Sequence, residues 1–209
     1  MKKHTTSLWL KRQLDIFAAA LALLILAPLF PLIALAIKLD SPGPVFFRQL
    51  RVGSYTRDRV EFFEMIKFRS MCADAEKSTG AVWAGKTDSR ITATGRFLRK
   101  TRLDELPQLI NVLKGEMSLI GPRPERPDFY RNLESNIPFY SERTYGLRPG
   151  ITGLAQVYQG YDSCIEDVRS KVAFDHSYAL SLYSVGSWLV TDLRIAFLTV
   201  WVMIRGRGQ

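Results

Sequence analysis

The chain has 209 residues, of which 47% are hydrophobic and 23% are charged, and its formal net charge is +9 at pH 7. This composition excludes an intrinsically disordered chain and suits a single domain over residues 1–209. The basic excess favours an anionic partner: nucleic acid, an acidic membrane surface or a phosphorylated substrate. Because many basic residues flank apolar segments, a membrane surface fits better than nucleic acid.

The first predicted element is a membrane helix. Residues 16–37 contain no charge, and a helix of these 22 residues would be about 33 Å long, enough to cross a bilayer. However, Pro28 and Pro31 lie near its middle, and proline breaks or bends a helix. Basic residues also flank both ends, whereas a spanning helix has its basic flank on the cytoplasmic side. We therefore expect a re-entrant membrane helix within residues 1–40 that bends at Pro28 and Pro31, with a simple span as the alternative.

The segment after a turn at residues 41–44 has the pattern of a β-hairpin. Residues 44–52 and 60–71 look extended and are separated by a polar turn. Because side chains alternate along a strand, Met65, Lys67 and Arg69 would share one face. Lys67 and Arg69 could then bind a common anion, although a solvated strand face is the better explanation of an isolated Lys-Phe-Arg.

Two adjacent acids, Asp104 and Glu105, follow a basic run and begin a periodic apolar segment. Helical spacing of leucine and isoleucine predicts a helix over residues 105–114 that ends at Gly115. Asp104 would be its N-cap, which is the commonest role of Asp there. A second role is chemical. The helix dipole would stabilise the ionised carboxylate, which can attack phosphorus, while Glu105 could help hold Mg²⁺.

The rest of the chain supports phosphate chemistry. Arg99, Lys67 and Arg123 could neutralise a transferring phosphoryl group, and the sequence lacks the motifs of P-loop proteins, zinc proteases and serine hydrolases.

We expect a short helix over residues 127–134, a loop over 148–153 and a helix over 165–182. Residues 188–204 contain two charges and predict an interfacial helix.

Several motifs carry a resemblance to a known family. They are DSPGPVFFRQLRVG at residues 40–53, MIKFRSM at 65–71, LDELPQLINVLKGEMSLIGPRPE at 103–125 and RPGITGLAQV at 148–157. On these motifs the chain resembles the bacterial sugar transferases, the small monotopic polyprenyl-phosphate phosphoglycosyl transferases. Two positions depart from the family pattern: Ala27 precedes Pro28 where the family has Ser, and Leu154 stands where it usually has Trp.

The resemblance implies an α+β, mostly helical fold, with a re-entrant helix over residues 1–40 and a catalytic part over 41–209. It implies transfer of a sugar-1-phosphate from a UDP-sugar to undecaprenyl phosphate with release of UMP, by a ping-pong route through an aspartyl intermediate. The implied location is the bacterial inner membrane, with phospholipid contacts and the active site on the cytoplasmic face. The family also allows a homodimer and needs no nucleic acid.

The resemblance also assigns roles to residues. Asp104 would be the nucleophile and Glu105 its partner at a Mg²⁺ site formed by both carboxylates. Arg99 and Arg123 align with the phosphate-binding arginines of the family, and Lys67 aligns with its conserved-motif lysine. Arg69 is a further candidate because it would share a strand face with Lys67. Arg148 could either contact substrate or hold the loop that contains it.

Two other functions are compatible with parts of the sequence. A non-catalytic module that binds anionic lipid would explain the net charge, but not the acids among the basic residues. A membrane-bound nucleotide-sugar hydrolase would need no lipid acceptor.

Overall fold

The computed structural model describes residues 2–56, 58–77, 80, 82, 88–159 and 164–205. Its fold is α+β and mostly helical, as expected. The helices are α1 (Lys2–Leu26), α2 (Leu29–Asp40), α3 (Ala93–Thr101), α4 (Gln108–Lys114), α5 (Pro127–Asn136), α6 (Leu154–Gln159), α7 (Ile165–Ser181) and α8 (Val185–Ile204). The strands are β1 (Phe46–Tyr55), β2 (Val60–Phe68), β3 (Ser118–Ile120) and β4 (Gly150–Thr152).

The N-terminal apolar segment forms two helices with a bend of 64° between α1 and α2. The break lies at Ala27 and Pro28, and Pro28 is the N-cap residue of α2. Pro31 lies in the first turn of α2, where a missing N–H costs no helical hydrogen bond. The bend predicted at Pro28 is thus present, whereas Pro31 does not break the chain a second time.

The first half of α1 packs on the rest of the protein through a polar stripe. Lys11 and Asp15 are buried, and Lys11 donates a hydrogen bond of 2.9 Å to Asp192 of α8. Asp15 accepts a hydrogen bond of 2.7 Å from the Ser118 hydroxyl at the start of β3. These bonds fix α1 to both elements, and the helix continues into the core, where Ala19 is fully buried.

The predicted hairpin is confirmed, although its strand limits differ from the predicted ones. β1 and β2 pair antiparallel, and Phe47 lies opposite Lys67. The outer edge of β2 is covered by Asn111 of α4, whose side chain accepts a bond from the Ile66 N–H and donates one to the Glu64 carbonyl. Asn111 is fully buried, so it takes the place of a third strand and joins α4 to the hairpin.

A small parallel sheet is present that the sequence analysis did not predict, and its strand β4 lies within the predicted loop over residues 148–153. β3 pairs with β4, and α6 follows directly. The backbones approach so closely that a Cβ on Gly150 would lie 2.1 Å from the Gly121 nitrogen. Any side chain there would therefore push the two segments apart.

Helix α8 is three residues longer than predicted. Within the described part of the chain it is the one single helix that is long and apolar enough to cross a membrane. The bent pair α1–α2 also qualifies if its two helices are counted together as one span. Its inward face carries Asp192, which accepts bonds from Tyr178 and Trp188. Its outward face is apolar and exposed, with Leu193 and Phe197 each 70% accessible. Asp192, one of the two charges in this helix, is thus bonded within the protein and does not lie on the exposed apolar face.

Candidate active site

Asp104 and Glu105 lie in a tight turn between two helices. α3 ends at Thr101, and Arg102 adopts a left-handed backbone conformation with φ of 59°. A single 3-10 turn, Leu103–Glu105, follows, and α4 begins only at Gln108 with Pro107 in the N-cap position. The prediction that Asp104 caps a helix beginning at residue 105 is therefore wrong. The apolar spacing was correct, but Leu106 and Pro107 belong to the turn.

Glu105 is the centre of a buried cluster of cations. Its Oε1 atom lies 2.9 Å from Lys67 Nζ, 3.5 Å from Arg123 and 3.7 Å from Arg102. Burial alone would raise the pKa of Glu105, but the three cations outweigh it and the pKa is lowered. Glu105 is thus a fixed anion that holds the basic residues together.

Lys67 is the cation closest to this carboxylate. Burial lowers the pKa of its ammonium group, and Glu105 opposes that shift. Because the chain reverses at residue 102 and Asn111 holds α4 on β2, the strand and the acidic turn meet at this ion pair.

Asp104 has a different environment from its neighbour. It is 7% exposed, and its Oδ1 atom is buried without a hydrogen-bond partner in the described residues. Burial raises the pKa of Asp104 to about 6; Lys67 opposes the shift and the Glu105 charge adds to it. The expected stabilisation of its ionised form by a helix dipole is therefore wrong, because the carboxyl group is desolvated and no helix begins there. A desolvated carboxylate is a stronger base, and at neutral pH most of it is still ionised.

Asp104 opens into a cavity of about 330 Å³. Lys67, Arg99 and Arg123 also line it, and the Arg99 guanidinium makes no hydrogen bond to a described residue. The wall combines basic residues with aromatic rings, the latter being Phe46, Phe47, Phe68 and Phe129. A cavity of this size suits a small phosphorylated ligand, and the cations suit its phosphate groups.

Two of the predicted phosphate-binding arginines have structural partners. Arg69 lines the cavity, but its guanidinium donates to the carbonyls of Ser41 and Pro42 and so holds the turn after α2. Arg148 is not among the cavity residues. Its Nε donates to the Gly115 carbonyl at 2.7 Å, at the C-terminus of α4, where a cation complements the helix dipole.

Sequence reasoning missed the residues that hold Arg123. Arg51 of β1 donates to the Pro124 carbonyl at 3.2 Å, and buried Arg143 donates to the Arg123 carbonyl at 3.0 Å. Arg126, also in the cavity wall, binds both carboxylate oxygens of Glu76 at 2.8 and 3.0 Å. No local pattern signals these contacts, because the partners are distant in sequence.

Comparison with known proteins identifies the family. The sequence profile of the family described as bacterial sugar transferase matches residues 6–206. The chain belongs to the bacterial sugar transferase family. The match includes both the acidic turn and the hairpin that carries Lys67.

Several curated relatives are similar over most of this chain. It is 46% identical to the UDP-N-acetylgalactosamine-undecaprenyl-phosphate N-acetylgalactosaminephosphotransferase of Aeromonas hydrophila, covering 96% of this chain and 45% of that protein. It is 42% identical to the UDP-glucose:undecaprenyl-phosphate glucose-1-phosphate transferase of Escherichia coli strain K12, covering 92% and 39%. It is 43% identical to the exopolysaccharide production protein PSS of Rhizobium leguminosarum bv. phaseoli, covering 95% and 98%. The chain thus spans less than half of the first two proteins and nearly all of the third.

Proposed function

We propose that the chain transfers a sugar-1-phosphate from a UDP-sugar to undecaprenyl phosphate and releases UMP. The observation that carries the proposal is the Asp104 carboxylate, whose Oδ1 is buried without a partner in the described residues beside a cavity lined by Lys67, Arg99 and Arg123. The names of the relatives from A. hydrophila and E. coli support this substrate pair.

The proposed first step is a nucleophilic displacement at phosphorus. The Asp104 carboxylate forms a bond to the β-phosphorus of the UDP-sugar. The bond between that phosphorus and the bridging oxygen breaks, and its electron pair leaves with UMP. In the second step an oxygen of the lipid phosphate attacks the same phosphorus, and the Asp104 carboxylate is released. The two half-reactions constitute a ping-pong mechanism through an aspartyl sugar-phosphate.

The cations have separate roles in this proposal. Arg99 and Arg123 neutralise the phosphate groups as negative charge moves to UMP. Lys67 lies between the cavity and Glu105, so it both contacts substrate and is held in place by the carboxylate. Arg69 and Arg148 act through the backbone segments that they hold.

The two adjacent carboxylates fit a divalent cation. Asp104 Oδ1 is buried without a partner in the described residues, so Asp104, with Glu105 beside it, would hold Mg²⁺ together with substrate phosphates. When bound, Mg²⁺ would offset the charge of the diphosphate.

We also propose that α1 and α2 form a re-entrant membrane hairpin at the cytoplasmic face of the bacterial inner membrane. The 64° bend and the basic residues on both flanks support it, and the exposed face of α8 would add contacts with phospholipid. Single cysteines placed before Asp15 and after Asp40, in a background lacking native cysteine, should both react with a membrane-impermeant thiol reagent only from the cytoplasmic side. Reaction from opposite sides would show a spanning helix instead.

A direct test is UMP release by the protein in detergent with Mg²⁺. We expect UMP from at least one UDP-sugar when undecaprenyl phosphate is present, and the screen should include UDP-glucose and UDP-N-acetylgalactosamine. Continuous release without lipid would indicate a hydrolase. No UMP from any UDP-sugar would favour a lipid-binding module.

The rate of the first half-reaction should depend on pH through Asp104. Without bound metal its pKa is about 6, and only the carboxylate is nucleophilic. The rate should therefore decrease about tenfold for each pH unit below the pKa, and Mg²⁺ held by Asp104 should shift this decrease to lower pH. Above pH 7 the rate should be constant. Rapid-quench measurement of UMP without lipid between pH 5 and 8, at a low and a high Mg²⁺ concentration, isolates this step, because the titrating lipid phosphate is absent. A rate that does not decrease toward pH 5 at the low Mg²⁺ concentration would contradict the assignment.

A further inference from the structure

Aromatic rings connect the bent helix pair with the cavity. Phe30 of α2 packs on Phe68 at the end of β2, with ring centroids 5.1 Å apart. Phe68 in turn stacks on Phe46 at the start of β1, with centroids 5.4 Å apart and planes at 21°. Phe46 and Phe68 both line the cavity. An apolar path therefore runs from the proposed membrane hairpin to the cavity wall.

Phe46 and Phe47, here called the aromatic lip, lie at the exposed end of this path. Each is 42% exposed although both line the cavity. Phe47 is also the cross-strand partner of Lys67, and directly opposed residues share one face of a hairpin. Phe47 thus lies beside Lys67 on one face of the hairpin, whereas Phe46 lies beside Phe68 on the other face, and both rings reach the cavity wall.

This arrangement is complementary to an amphipathic anion. A phosphate fits the side of Lys67, Arg99 and Arg123, and a hydrocarbon chain fits the rings. Helix α2 adds apolar surface nearby, since Leu32, Leu35 and Leu39 are 63%, 58% and 80% exposed. These leucines lie on the face of α2 opposite Phe30, so the connection between the lip and α2 runs through Phe30 and Phe68.

We propose that the aromatic lip binds the isoprenoid chain of the polyprenyl phosphate acceptor close to its phosphate. The proposal rests on the proposed function and adds the surface by which the lipid enters the site. The competing occupant of the lip is the uracil ring of the sugar nucleotide, because a nucleobase also stacks on aromatic rings.

The test compares two substrates and two kinds of substitution. In Phe46→Ala and Phe47→Ala proteins, KM for undecaprenyl phosphate in mixed micelles should rise about tenfold, because an apolar contact is lost. Phe46→Leu and Phe47→Leu should retain KM within about threefold, because leucine keeps the apolar surface. Phe62→Ala is the matched control: Phe62 is 55% exposed on the same hairpin and does not line the cavity, so its lipid KM should equal that of the wild type.

The release of UMP in the first half-reaction, measured as a burst without lipid, distinguishes binding of the isoprenoid chain from binding of the nucleotide. In that burst, the UDP-sugar concentration that gives half of the maximal rate measures nucleotide binding. If the alanine variants raise this concentration as much as they raise KM for the lipid, and the leucine variants rescue neither, the lip binds the nucleotide and the proposal is wrong. Unchanged lipid KM in all four variants, with melting temperatures near that of the wild type, would also overturn it. If wild-type protein gives no burst at all, the proposed function itself fails, which is a separate result.

Discussion

An Asp104→Asn protein should release no UMP above background, a loss of at least about 1,000-fold. The amide is nearly the same size as the carboxylate but cannot form a bond to phosphorus under these conditions. The burst without lipid should vanish together with the steady-state rate, because both require the same nucleophile. Asp74→Asn provides the control, since Asp74 forms an exposed ion pair with Lys77 and its loss should leave both rates unchanged.

The same substitution should stabilise the folded protein. The pKa of Asp104 rises from 3.8 to about 6 on folding, so the unfolded chain loses this proton at lower pH than the folded chain. Stability therefore falls as pH rises from about 4 to 6, and above that range the buried charge costs up to about 3 kcal/mol. The asparagine side chain of the variant carries no charge, so we expect a higher melting temperature at pH 7.5, with little gain at pH 4. An inactive variant that is less stable than the wild type at both pH values would indicate a structural role instead.

A Glu105→Gln protein should be strongly impaired in both stability and activity. The substitution removes the anion that pairs with Lys67, Arg102 and Arg123. The buried Lys67 ammonium would lose its closest partner, and breaking a buried pair typically costs about 3–5 kcal/mol. Because the same carboxylate holds Lys67 and Arg123 at the cavity, we expect UMP release to fall at least about 100-fold.

Thermal unfolding and UMP release should be measured together for Glu105→Gln. Glu64→Gln is the control, because Glu64 forms an exposed pair with Arg48 on the same hairpin, with both side chains 62% accessible. The double variant Lys67→Met with Glu105→Gln should recover part of the stability, since no unpaired lysine remains, but none of the activity. A Glu105→Gln protein with wild-type stability and turnover would refute the role of this cluster.

Several elements followed from local sequence signals. The hairpin, α5, α7 and the bend at Pro28 were predicted from turn residues, apolar spacing and proline, all of which act over a few residues. Asp104 and Glu105 were recognised from their position between a basic run and a periodic apolar segment. Their environments were not predictable, because burial and pairing with Lys67 depend on how β2 packs on α4.

What the sequence did not predict depends on long-range contacts or, at Asp104, on a local ambiguity. β3 and β4 are three residues each, too short for an alternation signal, and their pairing joins segments about 30 residues apart. The position of Asp104 was mistaken because apolar spacing does not distinguish a 3-10 turn from the first turn of a helix. Asn111 was not noticed because its partners are backbone groups of another element.

The central claim is that Asp104 becomes covalently bonded to sugar-phosphate. Intact-protein mass spectrometry after incubation with a UDP-sugar that supports UMP release, Mg²⁺ and no lipid tests it most directly. The wild type should gain the mass of one sugar-phosphate, on a peptide containing Asp104, and should lose it when undecaprenyl phosphate is added. Asp104→Asn should gain nothing. A full UMP burst with no added mass, or an adduct on another residue, would contradict the account.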